Sequence, residues 1–269
     1  MKITHFLEKL DEAIPLSFAM PDDPVGLQVM SEDRELSVIA VVYELSGEIV
    51  RQVKQIGAEL IVAFHPLIYP HLSSITGKNR VEQIVIDLIQ ERSGLYVLHT
   101  AFDAHPKGTS HLLAKGLGCT EVRPLVPLPE NQEAGMGAIG SFNQAIDIHE
   151  LARRLKEACK AAVVRISHKP AESDNRKILS IGILGGSGMS FYDAAIDAGV
   201  DAFITAEARY HTFHAANDKI PILDPGHAES EAFVVNGMAD LIGEMVLDLN
   251  QGIRVVRINE PTNPIQYIV

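Results

Sequence analysis

Short apolar runs recur along the chain, and three of them end at residues able to carry chemistry. Leu60-Ile61-Val62-Ala63 runs into Phe64-His65, and Ile220-Pro221-Ile222-Leu223 leads to His227. The third, Tyr96-Val97-Leu98-His99-Thr100-Ala101-Phe102-Asp103, ends in a carboxylate. Runs this short, bounded by turn residues, predict buried strands. Between strands the period changes to that of a helix. After residues 37–43 and a turn at residues 44–47, Ile49, Val50, Val53 and Ile56 share one face; Ser46 is the expected N-cap and Gly57 the C-terminal stop.

The same pattern occurs twice. Gly57 aligns with Gly199, 142 positions further on. The second copy has an apolar run at residues 178–184, a turn at residues 185–188, a helix stopped by Gly199 and a strand at residues 202–205. Glu59 falls in register with Asp201, Ile61 with Phe203, Val62 with Ile204, and His65 with Glu207. Each copy adds a further helix and a third strand, one ending near Asp103 and the other near His227. The expected fold class is therefore α/β: two duplicated α/β units, residues 1–125 and 126–269. Pro124, Pro127, Pro129 and the polar residues 130–133 mark the expected boundary. The second half is expected to enter a strand at residues 135–140. A helix should follow at about residues 148–160, with Asp147 and Glu150 in capping-box spacing, and residues 170–176 should form a polar loop.

In open α/β sheets, ligands bind at the carboxyl ends of strands. His65, Asp103, His227 and Glu231 all fall at or just after such ends. Imidazoles and carboxylates brought together there suit zinc, iron or manganese. His227 and Glu231, four apart, share a face if a helix starts at that point. Each residue also has a plainer reading: His65 as a hydrogen-bonded loop residue, Asp103 as a cap for a helix near Gly108, Glu231 as a solvated helix residue.

Composition narrows the function classes. A net charge of −12 over 269 residues disfavours direct nucleic-acid binding, because that affinity comes mainly from basic residues neutralising phosphates. No stretch approaches about 18 consecutive apolar residues, so no membrane span is expected. The N-terminus alternates charged and apolar residues without a signal-peptide core. Two cysteines, Cys119 and Cys159, without CxxC spacing argue against a disulfide scaffold and thiolate zinc, and suit a cytoplasmic location.

Other features carry less. Gly185-Gly186-Ser187-Gly188 lies between strand and helix, as a phosphate cradle would, but without a P-loop lysine or dinucleotide spacing; a tight turn explains it equally. His211 and His214 are three apart on one helical face, and His211 lies nearer Glu207. Strand alternation would put His99 on the face of Ala101 and Asp103, as a partner to the ligands.

These residues together resemble the NIF-three-like proteins, labelled GTP cyclohydrolase I type 2 homologues, over nearly the whole chain. Asp23-Pro24-Val25-Gly26-Leu27-Gln28-Val29 is similar to the family's Asp-Asn-Val-Gly-Leu-Gln-Val. Residues 57–69 resemble Gly-Ala-Asp-Leu-Ile-Val-Ala-His-His-Pro-Leu-Ile-Phe, and residues 99–103 resemble His-Thr-Asn-Leu-Asp. The glycine turn at residues 185–188, the run at residues 201–205 and residues 226–231 keep the family's order. The resemblance implies a two-metal centre ligated by two adjacent histidines, an Asp, and a later His and Glu. It also implies a ring-shaped homohexamer with the sites facing an internal cavity. Carried over, His65, Asp103, His227 and Glu231 match ligands, while Phe64 stands where the first histidine of the pair belongs. One tight metal is therefore expected, with a second weak or absent. Ala138 stands where relatives usually have Arg, which bears on the holding of an anionic substrate. A metal hydroxide would suit hydrolysis of a nucleotide-like or phosphorylated small molecule, with Glu207 or His211 moving protons. The alternative is a non-catalytic metal-binding scaffold or regulatory hexamer.

Overall fold

The computed structural model describes residues 1–167, 177–216 and 219–268. The expected polar loop at residues 170–176 lies outside the described residues. The chain opens with α1 (Ile3–Ala13), which buries Ile3, Phe6, Leu7 and Leu10 on one face. Then come β1 (Gly26–Val29), β2 (Val38–Val42), α2 (Gly47–Ile56), β3 (Leu60–Ala63), α3 (Arg80–Glu91), β4 (Gly94–Val97) and α4 (His99–Asp103). The middle of the chain forms α5 (Thr109–Gly116), β5 (Glu121–Leu128), β6 (Asn131–Ile146), α6 (Ile148–Ala158), β7 (Arg165–Ile166), β8 (Ile178–Ile183), α7 (Tyr192–Asp197), β9 (Ala202–Ile204), α8 (Tyr210–Ala215), β10 (Ile222–Asp224) and α9 (His227–Ser230). It closes with α10 (Val234–Leu249) and β11 (Arg254–Ile258).

Two compact units result. The first comprises Met1–Phe102 and Val234–Thr262, the second Asp103–Phe233 and Asn263–Val269. These bounds differ from a division at 125/126, because β11 returns to pair in parallel with β2 and residues 103–125 pack with the second unit.

The first unit is built on a five-stranded sheet, order β1-β4-β3-β2-β11. β2, β3 and β4 run parallel, β3 and β4 are buried at every residue, and β1 closes one edge antiparallel to β4. Strands buried on both faces read as continuous apolar runs, which is why these were visible in the sequence. α2 and α3 supply Ile49, Val50, Val53, Ile84, Val85 and Leu88 to the core on one side of the sheet. Ser46 caps α2 by accepting from the Ile49 amide, and Gly57 ends it at φ +69°.

The second unit has six strands, order β5-β6-β8-β9-β10-β7. β8, β9 and β10 are parallel, and β7 lies antiparallel to β10 as β1 does to β4. Helix, antiparallel edge strand and βαβαβ therefore occur twice, in the same order. Register agrees as well: Ile39 pairs with Leu60, and Ile181 with Ala202. Asp147 caps α6 through the Glu150 amide, while the Glu150 side chain turns to Arg153 and Arg154 instead of completing a capping box.

The proline-rich stretch expected to separate the halves is instead a strand. Pro124 and Pro127 lie in β5, opposite Ala138 and Gly135 of β6. β5 is the sheet edge, where a residue without an amide proton is tolerated because its nitrogen can face away from the ladder. Among the described residues, no helix is long and apolar enough to cross a membrane.

Candidate metal centre

In the first unit, the ladder extends past β3. The Phe64 amide donates to Val42 O at 3.0 Å and the His65 amide to Tyr43 O at 2.8 Å. Phe64 is fully buried and stacks on Tyr43, with ring centroids 6.0 Å apart and planes 16° from parallel. His65 stays half-buried, its ring 4.6 Å from Tyr43 and 5.4 Å from His99 between centroids. His99 Nδ1 meets Asp23 Oδ1 at 2.8 Å, and Asp23 also accepts from the Thr100 amide and hydroxyl. Burial alone would raise the Asp23 carboxyl, but the bonds from His99 and Thr100 outweigh it and hold the pKa below its ordinary value.

The alternation expected from residue 96 to Asp103 ends early. β4 stops at Val97, the last ladder bonds are Leu98 N to Ala63 O and His99 N to Phe64 O, and residues 99–103 turn into α4. His99 therefore reaches its place by a backbone turn, φ +30°, and not by strand alternation.

In the second unit, Glu207 follows β9 with φ +58°, and His227 opens α9 after β10. His227 Nδ1 lies 2.8 Å from Glu207 Oε1, and its Nε2 lies 3.4 Å from Glu231 Oε2. Glu231 is only 5% exposed and has the His227 ring beside it. The bond to Glu231 raises the His227 pKa to about 9 against burial, which lowers it. The Glu207 carboxylate fixes the ring through Nδ1, so that Nε2 faces Glu231. Glu207, expected to move protons, here orients His227. His211 is exposed on α8, edge-on to Tyr210.

Asp224, which sequence reading missed, fixes both loops. Its side chain is buried and accepts from the Ala208 amide at 3.1 Å, the Gly226 amide at 2.9 Å and the Arg165 guanidinium. These amides sit one residue beyond Glu207 and one residue before His227. The signal was an acid closing an apolar strand just before Pro225-Gly226. Asp23 was missed as the holder of His99, though it opens a run already recognised as a motif.

Side chains of the protein take up the glycine amides of the turn at residues 185–188. The Gly185 amide donates to Ser110 Oγ, Gly186 to Ser230 Oγ and Gly188 to Thr205 Oγ1, so protein hydroxyls take the amides an anion would need. Asp103 closes α4, and the N-cap position of α5 is Gly108. Asp103 lines a cleft of about 290 Å³ in the second unit with His105, His111, Arg123 and Gln132.

Of the sequence-predicted ligands, His227 and Glu231 meet in the second unit, where Asp103 lines the cleft just described, and His65 stands in the first unit just past the end of β3. The sequence profile described as Duf34/NIF3 (NGG1p interacting factor 3) matches residues 1–264. A Lactococcus lactis protein called "GTP cyclohydrolase 1 type 2 homolog" is 29% identical over 98% of this chain and 98% of its own. One of the same name from Streptococcus pneumoniae is 29% identical over 100% of both. The crystal structure of Staphylococcus aureus hypothetical protein SA1388 superposes with a TM-score of 0.91 at 24% identity, covering 100% of this chain and 99% of that one. A Bacillus cereus protein related to NIF3 gives 0.89 at 19% identity, covering 100% and 99%. The chain belongs to the Duf34/NIF3 family.

Proposed function

We propose that this chain binds one divalent transition metal tightly through His227 and Glu231 of the second unit, with His65 and Asp103 as the further donors that the family resemblance implies, and works as a metal-dependent hydrolase. The observation that carries the reading is the His227–Glu231 pair of the second unit, with His227 oriented by Glu207 and Glu231 almost fully buried. Two imidazoles and a carboxylate fit zinc, iron or manganese. Such an ion lowers the pKa of water towards neutrality and polarises the bond under attack.

The chain's own residues supply the rest. Glu207 holds the His227 ring at 2.8 Å and is, of the two expected proton carriers, the one placed on that imidazole. Arg123 and His111, in the cleft beside Asp103, suit an anionic group on a nucleotide-like or phosphorylated small molecule. The relatives' printed names point to the same substrate class.

A second reading follows from Phe64. A buried phenyl ring at that place cannot ligate, so a second ion would lose a nitrogen donor; this favours a non-catalytic metal-binding scaffold or regulatory homohexamer. The test is turnover of GTP and a panel of phosphorylated small molecules by zinc-, iron- and manganese-loaded protein. Hydrolysis that disappears in Glu231→Gln supports the hydrolase. No turnover with metal bound supports the scaffold.

A further inference from the structure

We infer that the turn at residues 185–188 is the seat of the Glu231 carboxylate and that Gly186 is a positioning residue for the metal centre proposed above, a reading on which this inference rests. Gly186 adopts φ +67°, and a Cβ built on it would stand 2.4 Å from Glu231 Oε1 and 3.4 Å from His227 Nε2. Both atoms belong to proposed ligands. Carbon and oxygen cannot approach to 2.4 Å without bonding, so any side chain here displaces the carboxylate or the turn.

The turn has little freedom to yield. The Gly186 amide donates to Ser230 Oγ at 2.8 Å, and the Ser230 hydroxyl donates to the His227 carbonyl at 2.7 Å. On the other side, the Thr205 hydroxyl donates to Gly186 O at 3.1 Å and accepts from the Gly188 amide at 2.9 Å. Gly185 adds a second close approach, its virtual Cβ lying 2.8 Å from Thr109 Cγ2 and 3.5 Å from Glu231 Cγ. Bare backbone thus faces the carboxylate, and the Ser230 hydroxyl that takes up the Gly186 amide also ties the turn to the helix carrying His227. With the turn held from both sides, the added methyl of Gly186→Ala must push Glu231.

Gly199 supplies the control. It lies in the same unit at φ +71°, with nothing within 4 Å of a virtual Cβ. Gly199→Ala carries the cost of a left-handed alanine without a clash. Zn²⁺ alone is titrated calorimetrically into metal-free wild type, Gly186→Ala and Gly199→Ala, and the melting temperature of each metal-free protein is recorded.

Gly199→Ala is expected to bind at wild-type affinity. Gly186→Ala is expected to bind about 10–100-fold more weakly, the range seen when groups supporting a ligand are changed. Equal affinity in the two variants would overturn the inference while leaving the metal centre standing. Binding by none of the three would overturn the metal reading and the inference with it. If Gly186→Ala shows no cooperative melt, Ser230→Ala takes its place: weakened Zn²⁺ binding supports the seat, and unchanged binding overturns it.

Discussion

Phe64 and His65 are chain neighbours with opposite fates. One is sealed in the core against Tyr43; the other stays partly open beside His99. Phe64→His should raise bound metal from about one towards two per chain, read by elemental analysis, if this position is what weakens the second ion. Because the ring is buried, the same change should also lower stability, by about 3 kcal/mol or more. Asp23→Asn is expected to destabilise by about 1–3 kcal/mol in denaturant unfolding, since it removes the charged acceptor of His99 and Thr100. The sign with pH follows. The folded pKa of Asp23 lies below the ordinary 3.8, so its contribution is present above that value and is lost as pH falls through the lowered pKa. The variant should show a shallower acid limb in a stability–pH profile. His65, His227 and Glu231 were legible as residue types at strand ends. Their orienting partners were not: hydrogen bonds such as Asp23 to His99 span 76 residues and leave no local pattern.

The duplication is deepest at the level of elements. Glu59 Oε2 accepts from the Ser37 and Val38 amides at 3.1 and 2.7 Å; Asp201 Oδ2 accepts from the Leu179 and Ser180 amides, both at 2.8 Å. Each acid closes the start of the preceding parallel strand, at positions related by the same shift of 142 that aligns Gly57 with Gly199. The shared glycine, acid and strand could be read from sequence because each is a local requirement. The short helix α4 and the strand β5 could not. One depends on where a ladder runs out, the other on which strand ends up at an edge. Asp224→Asn tests the bracket that sets Glu207 beside His227. It should cost about 1–3 kcal/mol in thermal unfolding and should weaken metal binding in a titration.

For the whole molecule, both cysteines are buried, and burial pushes the Cys119 and Cys159 thiols up to about 11 and about 12. Neither should react with a thiol reagent at neutral pH in the folded protein, and both should react once it is unfolded. The resemblance that first suggested a ring predicts a particle of six 29.3 kDa chains in light scattering. The central claim is metal binding by His227 and Glu231, with His65 as a further donor. It is tested most directly by metal content per chain, after purification without chelator, in wild type and in His65→Ala, His227→Ala and Glu231→Gln. About one equivalent in wild type, and little in any variant, is the predicted result. No metal in wild type, or equal metal in wild type and all three variants, would contradict it.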